Sequence, residues 1–364
     1  MTPLFPTSDI PVPQHCPQKF VADSTSSISS SPTALPVHKV SILVPCFNAE
    51  RWIAQAVQSA LDQSHHDVEI IVVDDGSTDG SLDVIRSFGN RIRWESGPNN
   101  GGNRTRNRLL ELATGEWIQY LDADDYLLPE KIERQLEELQ AADHVDVAYS
   151  PVIFRFEQSP RPAREELFVI PEPRDPWILL IQWMLPQTGG PLWRRSALLD
   201  AGGWNENQKC CQEHELYFRM LRCGKRFQYC ESAGAVYRHW SEGTVCRKNP
   251  LDAFLTRMSV VSACEEFLIS TGELNRDRRD AVAHTRYQCA RSIWHLDRKH
   301  AINLARSARK GHPDFRLPKA RYFPMLYRSL VAAFGFRTGE MVADLARCVQ
   351  KPSVHGTSRS ISGN

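Results

Sequence analysis

Apolar and polar positions alternate along most of this chain in a way that spells out a series of strands and helices. "KVSILVPCF" is an almost unbroken apolar run and predicts a buried strand. From Glu50 to Gln63, Ile53, Val57, Ala60 and Leu61 recur at helical spacing on one face. "VEIIVVDD" predicts a second strand, and Asp79 to Ser87 a short helix capped by Thr78. "RIRWES" reads as a third strand, Asn103 to Ala113 as a helix, and "EWIQYLDADD" as a fourth strand. Pro129 to Gln140 predicts a helix with Pro in its first turn and Ile132, Leu136 and Leu139 turned inward. "VDVAYSPVIF" reads as a fifth strand. This alternation predicts an α/β fold with a largely parallel sheet.

The second half is less regular. Helices are expected at Pro176 to Met184 and within Asn205 to Arg222, and a short strand from Tyr229 to Tyr237. After Asn249 the pattern becomes helical: Leu251 to Ser270, Arg276 to Lys299 and Ala301 to Lys310. Gly335 and Gly339 are expected to interrupt a last amphipathic stretch. No internal repeat is present.

The two ends differ from the rest. Residues 1–37, rich in Pro and Ser, cannot bury enough apolar surface to offset their ordering entropy and are expected to be a disordered leader. Residues 351–364 read as a disordered tail. The expected division is a catalytic domain at 38–248, its halves at 38–150 and 151–248, then a helical region at 249–350.

Bulk properties narrow the class. At 364 residues the chain exceeds one ordinary core, and its 41% hydrophobic and 24% charged residues are those of a soluble globular protein. A net charge of +1 gives no basic surplus for nucleic acid. The ten cysteines include no CxxC spacing, and Cys210-Cys211 is the one close pair, which points to reduced, buried thiols. No apolar run approaches the roughly 18 residues that cross a bilayer, and the N-terminus lacks the basic start and apolar core of a signal peptide. The expected location is cytoplasmic.

The candidate chemistry lies at the strand ends, where parallel α/β sheets hold their ligands. Pro45-Cys46-Phe47-Asn48 follows the first strand, Asp74-Asp75 the second, and Asp122-Ala123-Asp124-Asp125 the fourth. Clustered carboxylates repel one another unless a cation or ligand donors compensate. For Asp79 ordinary turn chemistry suffices, since Asp-Gly-Ser is a common turn and an Asp can cap the next helix. Alternate residues of a strand share a side, so Asp122 and Asp124 can face one ligand. Their hard oxygens suit Mg²⁺ or Mn²⁺, with a substrate diphosphate supplying further ligands.

"VSILVPCFNAERWIAQAVQSALDQ", "VEIIVVDDGSTDGS", "NNGGNRTRNRLLELATGEWIQYLDADD" and "LPEKIERQ" together resemble the N-terminal half of family 2 inverting glycosyltransferases, which have the GT-A fold. The match runs from Lys39 to Tyr149. It continues more loosely through "GGPLWRRSALLDAGGWNE", "QEHELYFRMLRCG" and "VYRHWSEGT". The resemblance implies a mixed Rossmann-like sheet and transfer of a sugar from a nucleotide-diphosphate donor to a saccharide or lipid-linked acceptor in cell-surface glycan or lipopolysaccharide synthesis. It places Pro45, Phe47 and Glu50 beside the nucleotide and Asp75 on the nucleobase edge. It places Asp122 and Ala123 at the ribose or metal, and Asp124 as principal ligand of Mn²⁺ or Mg²⁺. The loop Asn99 to Arg106 would close over the donor, with Arg106 near phosphate or simply an exposed helix arginine. His239, in "YRHW", is a candidate for metal or diphosphate, or else a structural histidine beside Trp240.

The base is where the sequence departs from the family pattern. Many relatives carry Glu-Asp at a helix start, with Asp as base. Here "QEHELYFRM" places Glu213 at that position, with Glu215 as the nearby alternative and surface acids of a helix's first turn as the plain reading. His214 reads as a packing or rim residue. "MLPQTGGPLWRR" is expected on the acceptor side, Gly189 and Gly190 permitting close backbone approach. Trp193 and Trp204 are candidates to stack on a sugar or to fill the core.

"KARYFPMLYRSLVAAFGFR" mixes basic, aromatic and aliphatic residues. It reads either as an interfacial helix on anionic lipid or as part of a helical bundle or dimer contact. Two other functions fit parts of the pattern. A nucleotidyltransferase of the same fold needs a Gly-rich basic loop after the first strand, which "PCFNAERW" lacks. A non-catalytic nucleotide-sugar-binding protein would share the fold without a working base. A Rossmann dehydrogenase is not expected, because no GxGxxG follows the first strand.

Overall fold

The computed structural model of the chain describes residues 38–139, 144–157, 162–239, 249–318 and 323–350. The expected leader and tail, and Trp240, lie outside them. The described residues divide into two compact units, one ending at Leu274 and one beginning at Asn275.

The first unit is built on two sheets. Among the described residues the larger has seven strands in the order β10-β6-β9-β4-β1-β2-β3. These are β1 (Val40–Cys46), β2 (Val68–Asp74), β3 (Arg93–Ser96), β4 (Trp117–Tyr120), β6 (Val147–Tyr149), β9 (Leu192–Arg194) and β10 (Phe227–Tyr229). Strands β4, β1, β2 and β3 run parallel, and β9 lies antiparallel between β4 and β6. Strand β1 and the last five residues of β2 are buried almost throughout, as expected where helices cover both faces. Helix α1 (Ile53–Leu61) buries Ile53, Ala56, Val57 and Ala60, one stripe at helical spacing. These residues join Ile42, Val44 and Val72 in the main core. Helices α2 (Ser81–Ser87), α3 (Gly102–Leu112) and α4 (Lys131–Leu139) follow their strands in turn, with Ile132, Leu136 and Leu139 inward as the spacing predicted.

The smaller sheet has the order β5-β11-β7-β8, from β5 (Tyr126–Leu127), β7 (Val152–Phe156), β8 (Arg164–Phe168) and β11 (Ala235–His239). It accounts for two corrections. "VDVAYSPVIF" is not one strand: it breaks at Ser150-Pro151, and β6 and β7 enter different sheets. Pro151 has no N–H for a ladder, and the Ser150 hydroxyl, fully buried, accepts from Gln135 Nε2 at 3.0 Å. The stretch from Tyr229 to Tyr237 likewise divides into the end of β10 and most of β11. Gly234, between them, sits so close to Lys131 that an added Cβ would lie 2.5 Å from its side chain.

Among the described residues the remaining helices of this unit are α5 (Pro176–Gln182), α6 (Arg195–Asp200), α7 (Gln212–Arg222) and α8 (Pro250–Ser270). Asp175 caps α5 through the Trp177 N–H at 2.8 Å, with Pro176 in the first turn. Thr78, the expected cap of α2, is engaged elsewhere. Its N–H donates to Asn48 Oδ1, and α2 starts after Gly80 without a side-chain cap.

The second unit holds α9 (Arg276–Ile293), α10 (Arg298–Gly311) and α11 (Met325–Gln350). The helix expected from Arg276 to Lys299 ends at Ile293, and Asp297 caps the next through the His300 N–H at 2.9 Å. Gly335, at φ +81°, breaks α11 as its sequence suggested. Gly339 does not break it and is packed against Val331 instead. Among the described residues no helix is long and apolar enough to cross a membrane.

Candidate active site

The loops after β1 and β2 are laced into one platform. Asn48 adopts a left-handed conformation, which Asn tolerates. Its N–H donates to Ser77 Oγ at 2.9 Å, and its Oδ1 accepts from the Thr78 N–H at 2.8 Å. The Glu50 N–H donates to Asp79 Oδ2, and the Gly80 N–H donates back to Glu50 Oε2 at 3.0 Å. Asp79 also accepts from the Ser81 N–H and hydroxyl, so its turn role is as expected. Glu50, expected beside the nucleotide, thus serves the loop backbone. Phe47 is half exposed above the platform, with Pro45 half-buried beside it.

Asp75 is buried, and each oxygen holds one backbone amide: Asn100 N–H at 2.7 Å and Gly101 N–H at 3.0 Å. This fixes the turn that leads into α3. Each oxygen keeps a further lone pair for a ligand N–H.

The apolar strand β4 ends at Tyr120, so Asp122 to Asp125 form a turn rather than the strand end expected. The Asp125 N–H closes it onto the Asp122 carbonyl at 3.0 Å. Asp122 and Asp124 therefore gain their proximity from the turn and not from strand alternation. Both are half-buried and Ala123 is buried between them. Asp122 Oδ1 accepts from Arg106 Nη2 at 2.7 Å, and the Arg106 guanidinium lies 4.9 Å from the Trp204 ring centre. Burial works against the charge of Arg106, but the carboxylates of Asp122 and Glu213 more than offset it and raise its pKa. Asp125 is buried, and its pKa stands well above the carboxylate range through burial and then its neighbours Asp124 and Asp122.

Arg238 holds this turn from below, a role the sequence reading missed. Its N–H donates to Asp125 Oδ1 at 2.8 Å and its Nη1 to the Asp124 carbonyl at 2.7 Å. Its guanidinium lies 4.7 Å from the Trp52 ring centre and 4.6 Å from that of Tyr126, with Glu157 at 3.5 Å. The only signal in the sequence was its place beside His239. His239 itself joins an aromatic cluster, stacked on Phe156 at 4.8 Å and edge-on to Tyr237 at 5.0 Å. Among the described residues no three His, Cys, Asp or Glu side chains converge as a metal cage. His239 is therefore not gathered into one with Asp122 and Asp124.

Helix α7 begins after Cys211, itself left-handed at φ +59°. Glu213, in the first turn, accepts from Thr188 Oγ1 at 2.7 Å, and Thr188 is almost fully buried. Glu215 is committed elsewhere: it is buried and bound by Arg219 through two bonds of 2.7 and 2.8 Å. Burial first, and then Asp125, Asp122, Glu213 and Asp124, push the Tyr237 hydroxyl well above its usual range. Those four carboxylates thus share one neighbourhood. Thr188 and Tyr237 are further residues that composition and spacing did not single out.

The remaining candidates are structural. Trp193 and Trp204 are fully buried, so neither offers a face to a sugar. Trp193 stacks on Tyr217 at 5.0 Å and Trp204 meets Tyr120 edge-on at 5.2 Å. Asn107, on α3, pins the Trp204 backbone from both sides, Oδ1 accepting at 2.7 Å and Nδ2 donating at 2.9 Å. A Cβ on Gly190 would lie 2.5 Å from Pro186 Cβ and 2.9 Å from Val152 Cγ1. Packing therefore requires this glycine, and Gly190→Ala is expected to cost about 1–3 kcal/mol in a urea titration.

His214 stacks face to face on Trp183 at 3.7 Å. Burial, with Arg257 adding to it, lowers its pKa from 6.5 to about 3. Between those values the unfolded chain binds a proton that the folded chain refuses, so stability falls as pH drops below 6.5. About 1.4 kcal/mol per pH unit implies a loss of roughly 2 kcal/mol between pH 6.5 and 5. Urea midpoints at pH 7 and 5 should show that slope in the native chain and a shallower one in His214→Phe.

Comparison with known proteins matches part of the chain to a family. Residues 41–200 match the family model described as glycosyl transferase family 2. This stretch belongs to that family. An uncharacterized glycosyltransferase of Nostoc sp. is 32% identical over 173 residues, 44% of this chain and 52% of that protein. The putative teichuronic acid biosynthesis glycosyltransferase TuaG of Bacillus subtilis is 41% identical over 102 residues, 27% of this chain and 40% of that one. The chain spans about half the length of these relatives or less. In fold, it superposes on residues 1–349 of S. aureus TarS, solved with UDP-GlcNAc, with a TM-score of 0.57. The identity there is 18%, over 86% of this chain and 92% of that one. The fold is GT-A, with added C-terminal helices.

Proposed function

We propose that the protein transfers a sugar from a nucleotide-diphosphate donor to a hydroxyl of a saccharide or lipid-linked acceptor, with inversion, in the synthesis of a cell-surface glycan. The observation that carries this reading is Glu213, held by buried Thr188 in the same neighbourhood as Asp122 and Asp124. Inversion needs one base, placed to take the proton from the attacking hydroxyl on the face opposite the leaving nucleotide. Glu215 is not assigned this role, since it is buried and its charge is held by Arg219. The family 2 match over residues 41–200 and the role in TuaG's name support the reaction and its setting.

The residues fit a divalent cation. Two half-buried carboxylates on one tight turn supply hard oxygens, too few for a closed cage and suited to a site completed by donor phosphates. Asp124 and Asp122 would hold Mn²⁺ or Mg²⁺, which when bound neutralises charge on the leaving diphosphate. Arg106, paired with Asp122 through Nη2 alone, keeps further N–H groups with which to meet phosphate oxygens. Asp75, Pro45 and Phe47 border the space for the nucleoside.

Water can take the acceptor's place slowly, which gives a test without the acceptor. Incubation with UDP- and GDP-sugars and Mn²⁺ should release nucleoside diphosphate from one donor, and the freed sugar should first appear as the inverted anomer by NMR. Release with retained configuration would overturn the mechanism. Asp124→Ala is expected to lower metal-stimulated release by at least about a hundredfold.

A further inference from the structure

The second unit concentrates charge that the chain as a whole does not have. The full sequence carries a net +1, whereas residues 298–318 and 323–337 hold eight Lys and Arg against one acid, Asp314, a surplus of seven. Three of these guanidinium groups, Arg309, Arg316 and Arg328, border one cavity of about 460 Å³. Its apolar wall includes Tyr287, Phe315 and Met325. Arg309 donates to the Val331 carbonyl at 3.2 Å, and Arg328 Nε is buried with no hydrogen-bond partner. Among the described residues no carboxylate pairs with any of the three. Uncompensated guanidinium groups converging on one space call for an anion.

Beside this cavity α11 leaves large apolar side chains in solvent. Met325, Leu326 and Phe334 are 76%, 70% and 67% exposed. Met325 and Leu326 open the helix, three and two residues before Arg328, whereas Phe334, nine residues on from Met325, projects from the other side. Basic and apolar groups thus share one short stretch, in a unit with no membrane-spanning helix among its described residues.

We propose that this surface docks on an anionic bilayer, with a lipid phosphate seated among Arg309, Arg316 and Arg328 and with Met325 and Leu326 entering the interface. Charge complementarity selects this occupant. A second copy of the same surface would set three guanidinium groups against another three. A nucleic-acid backbone would satisfy the arginines but gives no reason to expose Met325 and Leu326. A bilayer of anionic lipid meets both requirements, phosphate at the surface and hydrocarbon beneath it.

The test is sedimentation of the full chain with vesicles of phosphatidylcholine alone or mixed with phosphatidylglycerol. The protein should be retained by the mixed vesicles, not by phosphatidylcholine alone, and released by salt. Arg316 and Leu326 are exposed, so their replacement should leave the melting temperature unchanged. Arg316→Glu should lower the partition coefficient at least about fivefold, in keeping with the contribution of one basic residue at an anionic surface. Leu326→Ser should lower it as well, at unchanged charge. Equal retention on both vesicles, no retention, or capture by heparin without vesicle binding would each overturn the proposal. Vesicle retention does not depend on sugar transfer, so either reading can fail alone.

Discussion

Glu213→Gln is expected to lower turnover about a thousandfold while leaving donor affinity within about twofold of the native value. Gln keeps the volume and can still accept from Thr188 Oγ1 through its amide oxygen, so the start of α7 should hold its shape. What it loses is the ability to take a proton. The expected signature is a fall in kcat with little change in the donor's dissociation constant. Glu215→Gln should behave in the opposite way. It weakens the buried pair with Arg219 and lowers stability, yet the molecules that remain folded should keep their turnover. If Glu215→Gln removes turnover and Glu213→Gln does not, the assignment of the base is reversed.

Arg238→Met should be the most damaging single change to stability near the site, by about 3 kcal/mol. The side chain lies between two aromatic rings, binds the Asp124 carbonyl and the Gln55 amide, and stands near Glu157. Met fills much of the volume but leaves the Asp124 carbonyl and the Gln55 oxygen without their donors. The turn that presents Asp122 and Asp124 would then lose its support, so metal-dependent donor affinity should fall together with the urea midpoint. Arg238→Lys should lie between the two, since an ammonium group restores charge but cannot fork to two acceptors or stack as a plane. A Met variant with native stability and native donor affinity would show that Arg238 does not hold the turn.

The parts of this fold set by short-range periodicity were legible in the sequence. Strands β1 and β2 are apolar runs broken near their starts by Ser41 and Glu69, and α1 and α4 carry clean stripes, so their positions followed from burial. The smaller sheet was not legible, because it joins β5 and β7 to β11 across long sequence separations and its strands are short. Pro151 marked the break between β6 and β7, but nothing local showed that the halves enter different sheets. At the site, the carboxylates were identifiable because like charges at the ends of apolar strands need an explanation. The identity of the base was only half readable. Its alternatives, Glu213 and Glu215, differ in what they meet across the fold, Thr188 in one case and Arg219 in the other. Arg238 and Thr188 escaped notice for the same reason: an arginine in a strand and a threonine in a loop carry no pattern until the structure brings their partners to them.

Calorimetric titration of UDP, GDP, TDP and CMP, each with and without Mn²⁺, into the native chain, Asp124→Ala and Glu213→Gln tests the central claim most directly. One nucleotide should bind the native chain with Mn²⁺ present, Asp124→Ala should lose this metal-dependent binding, and Glu213→Gln should keep it. Folded native protein that binds none of them, or an Asp124→Ala variant that binds as tightly as the native chain, would contradict the claim.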